Sequence, residues 1–206
     1  YMALRDMIVV GHLQPGEKLK ISGLQKRLHT GASPIREALS LLTSDSLVER
    51  IDQRGFRAAP INLANFQEIL VLRCTLDDIA LRASINNRSD AWEEQVILSH
   101  HRMTRAKAQA SDAFERLHRL FHMTLLANCD SPILLKFCTQ LYDLNIRYRH
   151  LASRALHYKH RDVADEHAQI RDAVISGDAD LASQNLLHHY RATGTFLGEA
   201  LQRLQT

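Results

Sequence analysis

The chain has 206 residues, 24% of them charged and 45% hydrophobic, with a formal net charge of +3. These values are typical of a globular protein and leave room for one large domain or two small ones. No apolar run approaches the ~20 residues that cross a bilayer, so we expect no membrane partner. Arg5 and Asp6 interrupt the apolar stretch near the start, which argues against a signal peptide. Three cysteines without a CxxC pair indicate reduced thiols, and we therefore expect a cytoplasmic protein.

The positive charge is concentrated at the start of the chain. Residues 1–60 contain nine Lys or Arg and six Asp or Glu, whereas the remaining 146 residues contain 17 of each. A module that binds DNA phosphates needs such an excess, although an excess of this size is also common in proteins that bind no DNA. From position 62 onward Gly and Pro become rare and strand-like alternation stops. We therefore predict two domains, residues 1–60 and residues 61–206.

Two short helices are predicted first. Apolar residues recur at helical spacing from Leu4 until Gly11 breaks the pattern. Leu24 and Leu28 mark a second short helix, for which Ser22 is a suitable N-terminal cap. The first 28 residues are therefore predicted to form two helices.

A third helix has the sharpest start signal. Ser33 supplies a cap and Pro34 takes the first helical position, where its missing N–H costs nothing. The segment HTGAS (29–33) then connects the second and third helices, which is the helix-turn-helix arrangement. Arg36 lies off the apolar face of this helix. That face is formed by Ile35, Ala38, Leu39 and Leu42.

A strand, a tight turn and a second strand are predicted next. The segments VERI (48–51), DQRG (52–55) and FRA (56–58) form a hairpin with Arg54 and Gly55 at its tip. A basic hairpin after a helix-turn-helix is typical of a winged helix. In that motif the third helix enters the major groove of DNA and the wing touches the backbone or the minor groove.

The motifs GHLQPGEKL, SPIREALSLL and DSLVERIDQRGFRA in this region resemble the GntR family of bacterial transcriptional regulators. The resemblance implies a protein that binds a palindromic double-stranded DNA operator in the bacterial nucleoid. The residue pattern alone also allows Arg36 to be a surface residue that pairs with Glu37 or Ser40. The predicted DNA contacts are Ser22, Ser33, Arg36, Arg54 and Gly55.

Six further helices are predicted beyond residue 62. Stretches of helical spacing are separated by start or stop signals at NNRSD (86–90), CDSP (129–132) and SGD (176–178). The predicted fold class is therefore mainly α, a winged helix-turn-helix followed by an all-α antiparallel helical bundle. The predicted helices are Asn65–Ile85, Asp90–Gln109, Asp112–Asn128, Ile133–Tyr158, Val163–Ser176 and Ala179–Leu204.

Two of the 12 histidines lie at helical spacing. His118 and His122 are four residues apart, so their imidazoles lie on one face of the predicted helix. His167 follows 45 residues later and His189 another 22 residues later. A chain with 12 histidines often produces an i, i+4 pair by chance. The pattern alone therefore favours solvated or core histidines.

The second domain resembles the FCD effector domain of the FadR branch of GntR regulators. RCTLD (73–77), LFH (120–122), EHAQI (166–170) and GDA (177–179) carry the resemblance. In that family an aspartate and three histidines bind a divalent metal ion, and His118 here replaces the aspartate. Four neutral ligands favour Zn²⁺ or Ni²⁺ over Mn²⁺ or Mg²⁺. Alternatively, the histidines have lost the metal and donate hydrogen bonds to a ligand. The metal ligands that the resemblance implies are His118, His122, His167 and His189.

Two arginines are predicted to bind an organic anion. An arginine inside an apolar bundle is costly unless it is paired, so Arg73 and Arg147 are candidates for effector binding. Two alternatives stay open: Arg73 pairs with Asp77, or Arg147 and its neighbour Arg149 lie at the surface. Similarity along the chain to a CsiR-like subgroup, repressors of GABA and glutarate utilisation, implies a small carboxylic or dicarboxylic acid as effector.

The predicted function is that of a dimeric DNA-binding repressor whose operator binding is modulated by a small organic acid. The homodimer follows from the family and from the symmetry of a palindromic operator. One alternative is a metal-responsive regulator in which the ion itself is the signal. Another is a metal-dependent enzyme, but only Glu166 could act as a general base beside the predicted ligands. Since no Ser-His-Asp arrangement, Cys-His arrangement or glycine-rich phosphate loop is apparent, we expect no catalytic residues.

Overall fold

The computed structural model describes residues 1–106, 112–153 and 161–205. In this part of the chain the structure contains nine helices and three short strands, and none of the helices is both long and apolar enough to span a membrane. The elements are α1 Met2–Val9, β1 Lys18–Leu19, α2 Ile21–Leu28, α3 Ala32–Ser44, β2 Val48–Ile51, β3 Gly55–Ala58, α4 Leu63–Asn86, α5 Asp90–Thr104, α6 Asp112–Leu126, α7 Pro132–Ser153, α8 Val163–Ile175 and α9 Ala179–Gln205.

The first three helices and the three strands form the predicted winged helix. Helix α3 packs against α1 and α2 and buries the apolar face that the sequence predicts, with Leu39 and Leu42 fully inaccessible. Strands β2 and β3 form the predicted hairpin, in which Val48 lies opposite Ala58. Strand β1 was not predicted, because two residues are too short to show alternation. It adds a third antiparallel strand, so that the strand order is β1-β3-β2.

The start of α2 differs from the prediction at Ser22. The helix begins at Ile21, so Ser22 lies exposed within its first turn and no side chain caps the helix. The extended backbone of Lys20 makes the entry into the helix instead. At the other end, His29 adopts a left-handed conformation with a φ of 49°, which stops the helix. The capping role predicted for Ser22 is therefore wrong.

The start of α3 also differs from the prediction. The helix begins at Ala32, so Ser33 and Pro34 are its second and third residues, and no side chain caps its end at Gly31. Pro34 is tolerated because the first four N–H groups of a helix have no intrahelical partner. The connection between α2 and α3 is consequently residues 29–31 rather than the whole HTGAS segment.

Helices α4 to α9 pack around a second apolar core. Helix α9 runs along α4 and α8, and α5 packs on α6. Leu81 of α4, Phe121 of α6 and Leu186 of α9 are fully buried in this core. The order of the helices agrees with the all-α bundle that the periodicity predicts.

Most helix bounds in this bundle lie within two residues of the predicted ones, although α4 begins at Leu63 rather than Asn65, after a cap that was not predicted. The side chain of Asn62 accepts a hydrogen bond from the backbone N–H of Asn65 at 2.8 Å and so caps α4. Helix α5 ends at Thr104, earlier than the predicted Gln109, and α6 ends at Leu126 rather than Asn128. Helix α7 is described as far as Ser153, and the rest of its predicted length lies outside the described residues.

Helix α7 joins the two parts of the protein. Its Tyr142 and Ile146 belong to the apolar core of the winged helix, together with side chains of α1. Arg5 of α1 donates from Nε to Oδ2 of Asp143 at 2.7 Å, and both side chains are 8% exposed. A buried ion pair is tolerated only when its geometry and its hydrogen bonds are good. The pair therefore fixes how α1 lies on α7.

Candidate ligand site and DNA-binding surface

Four buried histidines meet inside the bundle. His118 and His122 lie one turn apart on α6, His167 lies on α8 and His189 lies on α9. One ring nitrogen of each lies within 4.8 Å of the other three. The Nε2 atoms of His118 and His122 are 3.2 Å apart. Among the described residues, this is the one group of His, Cys, Asp or Glu side chains that could hold a metal ion.

Burial keeps these histidines neutral. It lowers the pKa of His118, His122 and His167 well below the usual value, and nearby arginines and histidines lower it further. Burial also lowers the pKa of His189 to about 4, although a hydrogen bond with Glu166 opposes this shift. A neutral imidazole keeps a lone pair on one ring nitrogen, which is the form that binds a metal ion.

A carboxylate fixes the orientation of His189. Oε2 of Glu166 lies 2.7 Å from Nδ1 of His189, and Arg161 makes a two-pronged ion pair with the same carboxylate. Burial raises the pKa of Glu166, but hydrogen bonds from His189 and Arg161 outweigh it and lower the pKa to about 2. Glu166 is therefore an anion that accepts the Nδ1 proton of His189. That arrangement leaves Nε2 of His189 without a proton and able to act as a ligand.

Two tyrosines hold the histidines of α6. The Tyr142 hydroxyl lies 2.7 Å from Nδ1 of His118, and the Tyr190 hydroxyl lies 3.3 Å from Nδ1 of His122. The Tyr190 hydroxyl also donates to Asp77 at 2.9 Å. In both histidines a tyrosine hydroxyl contacts Nδ1. The two Nε2 atoms, which lie close together, therefore face the inside of the cluster.

Three pairs of opposite charge surround the histidines. Nη1 of Arg149 lies 3.1 Å from Nε2 of His118, and the guanidinium of Arg73 lies 3.9 Å from the centre of the Tyr190 ring. Because each arginine is paired with a carboxylate, the charges cancel. The pairs are Arg73 with Asp77, Arg149 with Glu115, and Arg161 with Glu166.

Two buried nitrogen atoms at this site have no hydrogen-bond partner among the described residues. They are Nε2 of His167 and Nη2 of Arg73. A buried polar group without a partner costs about 1–3 kcal/mol, and native proteins rarely leave one unexplained. An ion bound by His167 and an anion bound by Arg73 would remove both costs.

The exposed side of α3 carries the predicted DNA contacts Ser33 and Arg36. The Ser33 hydroxyl donates to Glu37 at 3.3 Å, and none of the described hydrogen bonds or ion pairs involves the Arg36 guanidinium. The alternative in which Glu37 pairs with Arg36 is therefore not observed. The N-terminal N–H groups of α3 carry the positive end of the helix dipole, which favours a phosphate nearby.

The wing carries the other predicted contacts. Arg54 and Gly55 are exposed at the tip of the hairpin. Gly55 has a φ of +94°, a conformation that side chains other than glycine rarely adopt, so the tight turn requires a glycine here. Arg57 is paired with Glu49 across the hairpin at 2.6 Å. Ser22, the remaining predicted contact, is exposed on α2.

Two family models match the chain in the order of its two folded parts. The model for bacterial regulatory proteins of the gntR family matches residues 1–57, and the FCD domain model matches residues 68–192. The chain belongs to the GntR family and carries an FCD domain.

Similar proteins agree with this assignment. The HTH-type transcriptional regulator BphR of Paraburkholderia xenovorans is 33% identical over 94% of this chain and 81% of that protein. The HTH-type transcriptional repressor GlaR of Escherichia coli strain K12 is 32% identical over 92% and 90%, respectively. The solved structure of E. coli McbR/YncC shares the fold, with a TM-score of 0.84, 20% identity, and coverage of 95% and 93%. This GntR protein is a transcriptional regulator and not an enzyme.

The structure of this GntR regulator brings the four predicted histidines together and places Arg73 beside them. Arg147, also predicted to bind the effector, lies elsewhere: its guanidinium donates to the carbonyl oxygen of Ala59, between the two parts of the protein. Arg149 is the arginine that reaches His118. Residues two apart on a helix point in nearly opposite directions, so only one of these two arginines could face the cluster.

The sequence did not identify Tyr142, Glu115 or Arg161 as neighbours of the GntR regulator's histidines. Glu115 lies three residues before His118 on α6, so its place on the same helical face could have been inferred. Arg161 precedes α8, and its distance in sequence from His189 gives no local signal. Tyr142 could not have been found, since only the packing of α7 on α6 brings it to His118.

Proposed function

We propose that this GntR regulator binds a small carboxylic or dicarboxylic acid at the four-histidine site, beside a divalent metal ion, and that binding changes its affinity for a palindromic DNA operator. The observation that carries the proposal is the convergence of four buried, neutral imidazoles, with one nitrogen of each within 4.8 Å of the others. Zinc and nickel are the ions that such a set of nitrogen donors favours.

The residues at the site fit a metal ion. Each histidine offers a neutral ring nitrogen, and Nε2 of His167 has no other partner among the described residues. Glu166 accepts from Nδ1 of His189, as carboxylates commonly do beside metal-bound histidines. When bound, the ion would supply a fixed charge of +2 and a Lewis acid that attracts carboxylate oxygens.

The balance of charge supports an anionic effector. The three arginine–carboxylate pairs cancel and the imidazoles are neutral, so a divalent ion would give the buried site an uncompensated charge of +2. A buried charge is costly until it is compensated, and a carboxylic acid anion compensates it. Nη2 of Arg73 is available to donate to a carboxylate. The CsiR-like resemblance of the sequence supports the same class of acid.

We further propose that the regulator acts as a homodimer, as two half-sites of a palindromic operator require. Exposed apolar side chains on α4 and α7 form a surface that we call the α4–α7 face. Leu72 of α4 and Phe137 of α7 line the same groove, so exposed apolar side chains of the two helices lie next to each other. An exposed apolar patch of this kind marks a protein–protein contact. The α4–α7 face consists of Val71, Leu72, Ile79, Ile133 and Phe137.

A second candidate function is supported by the number of ligands. Four protein ligands complete a tetrahedral shell, which is typical of closed metal sites, whereas a site that also binds an acid keeps a position open. In that case the ion itself would be the signal. The two candidates differ in whether operator binding responds to metal alone.

The experiment combines metal analysis with a ligand screen. The protein is stripped with chelator and reloaded, and bound Zn²⁺ and Ni²⁺ are measured by elemental analysis. Thermal unfolding is then recorded with a panel of mono- and dicarboxylic acids, with and without Zn²⁺. We expect one ion per chain and a rise in Tm with at least one acid that requires the ion. The test variant is His189→Ala, and its matched control is His188→Ala, an exposed neighbour.

Each outcome separates the candidates. A metal-free protein that cannot be reloaded, or a His189→Ala variant that binds zinc as the wild type does, contradicts the metal site. A loaded protein that responds to none of the acids contradicts the acid effector. An operator can be selected from random DNA with the purified protein. If the affinity for this operator changes when zinc is added without any acid, the second candidate function is correct.

A further inference from the structure

Tyr142 belongs to two structural regions at once. Its ring is 1% exposed and belongs to the apolar core of the winged helix, on the side formed by α1. Its hydroxyl lies 2.7 Å from Nδ1 of His118, a member of the four-histidine cluster. Among the described residues that contact the cluster by a hydrogen bond, Tyr142 is the one whose ring lies in that core.

The next residue on α7 ties the same place to α1. Asp143 accepts two hydrogen bonds from Arg5 of α1, one of them at 2.7 Å, and one from Arg119 of α6 at 3.1 Å. Arg119 directly follows His118 on α6. Two consecutive residues of α6 therefore contact two consecutive residues of α7, and these two also contact α1.

The two nitrogens of His118 face different neighbours. Nε2 lies 3.2 Å from Nε2 of His122, inside the cluster, whereas Nδ1 lies 2.7 Å from the Tyr142 hydroxyl. Nη1 of Arg149 lies close to both nitrogens, at 3.1 Å from Nε2 and 3.2 Å from Nδ1. A rigid ring that turns or shifts when its Nε2 side gains a partner must move its Nδ1 side as well. Because protein cores are close-packed, the Tyr142 ring can follow only if the core of the winged helix adjusts.

We propose that Tyr142 is the residue that couples the four-histidine site to the DNA-binding domain, through its hydrogen bond to His118 and the packing of its ring against α1, the helix on which α3 packs. The inference rests on the proposed function, since it assigns the route by which occupancy of that site changes operator binding. The Arg5–Asp143 pair holds α1 against α7, so that a displacement of Tyr142 is passed to the winged helix rather than absorbed at the junction.

Two other tyrosines provide comparisons. Tyr190 also contacts the cluster, through Nδ1 of His122, but its ring lies in the core of the bundle. Tyr148 is on the same helix as Tyr142 and is equally buried, but its hydroxyl donates to Asn65 at 2.7 Å. Tyr148→Phe therefore removes a buried hydroxyl from α7 without touching the cluster, and it is the matched control for Tyr142→Phe.

The test measures hydrogen–deuterium exchange of α1 and α3 in the full chain, with and without Zn²⁺, while zinc binding is followed by calorimetry. In the wild type and in Tyr148→Phe, zinc should slow exchange in both helices by about fivefold or more, the low end of coupling between protein sites. In Tyr142→Phe, zinc should still bind, but the change in α1 and α3 should be lost. A Tyr142→Phe variant that shows the full change, or a zinc-bound wild type that shows none, overturns the inference.

A second measurement needs no metal, and it separates failure of this inference from failure of the proposed function. His118→Leu removes the partner of the Tyr142 hydroxyl, so it should speed exchange in α1 and α3. In the Tyr142→Phe background the same substitution should add nothing, whereas in the Tyr148→Phe background its effect should be retained. Equal effects of His118→Leu in all three backgrounds overturn the inference even if the protein binds no zinc.

Discussion

His118 occupies the position at which the resemblance to the FCD domain implies an aspartate. A carboxylate there would lower the charge of a metal site by one and would attract harder cations. An imidazole still supplies a nitrogen ligand for a metal ion but brings no negative charge. The His118 imidazole is itself neutral, because burial lowers its pKa well below the usual value. Its second nitrogen also reaches the Tyr142 hydroxyl at 2.7 Å, outside the cluster. One substitution therefore bears on both the choice of metal and the connection to α7.

The charge of Glu166 is expected to matter for metal binding at the four histidines. Glu166→Gln removes the charge that orients His189 while keeping its size, and we expect zinc affinity to fall about 10- to 100-fold, as for other partners of metal ligands. Competition against a chromophoric chelator measures the affinity. The control is Asp165→Asn, which neutralises an exposed carboxylate one residue away. Equal zinc affinities of Glu166→Gln and wild type would show that the carboxylate does not support a bound ion.

Helix α3 divides its surface between packing and the predicted contacts with DNA. Ile35 and Leu39 are buried against the neighbouring elements, whereas Ser33 and Arg36 are exposed on the other side. The buried apolar residues fix the orientation of α3 in the domain, and this orientation determines the direction of the Arg36 side chain. The wing is positioned in the same way, because β3 pairs with both β1 and β2. Recognition by this domain therefore depends on elements that are anchored through their apolar sides.

The corresponding prediction concerns Arg36→Ala. Loss of an arginine that contacts a base edge costs about 1–3 kcal/mol, so we expect affinity for the selected operator to fall about 5- to 150-fold. Fluorescence anisotropy at fixed salt measures the affinity, and thermal unfolding should be unchanged because the side chain is exposed. Arg102→Ala, which removes an exposed arginine from α5, is the control. Normal operator binding by Arg36→Ala would mean that α3 does not present this residue to DNA.

At the scale of the whole molecule, α7 is shared between the two parts. It contributes Tyr142 and Ile146 to the core of the winged helix, and Leu141 and Tyr148 to a third apolar cluster with α4 and α9. Its exposed apolar side chains among the described residues, Ile133 and Phe137, belong to the α4–α7 face. The same helix would therefore lie between the sensing site, the DNA-binding domain and the second copy of the chain.

The proposed dimer contact on the α4–α7 face can be tested by placing a charge in it. Phe137→Asp places a charge in the groove of the α4–α7 face, and burying an unpaired charge in an interface is costly. We expect light scattering after gel filtration to report a dimer for the wild type and a monomer for Phe137→Asp. The control is Ile97→Asp, at an exposed apolar residue of α5. A monomeric wild type, or a dimeric Phe137→Asp variant, would contradict the assignment of this face.

The winged helix and the helical bundle could be predicted from local signals in the sequence, and the resemblance to a known family indicated the four histidines. Helix and strand periodicity, capping residues and turn glycines are local signals, so they can be recognised in the sequence without knowledge of the tertiary structure. The i, i+4 spacing of His118 and His122 was not enough to select them, and the resemblance to the FCD domain indicated all four histidines. The same local rules placed the starts of α2 and α3 only to within two residues, because neither helix begins at a capping side chain: the residues before them are Lys20 and Gly31.

The side chains that surround the histidines could not be predicted, because they are brought there by the packing of the helices. Arg147 and Arg149 lie in one short segment, and the packing of α7 determined that Arg149 faces His118 while Arg147 contacts Ala59. The contact between Tyr142 and His118 joins residues on two different helices, whose rotation about their axes is set by the whole core. Such contacts depend on how helices pack, and no local pattern encodes that packing.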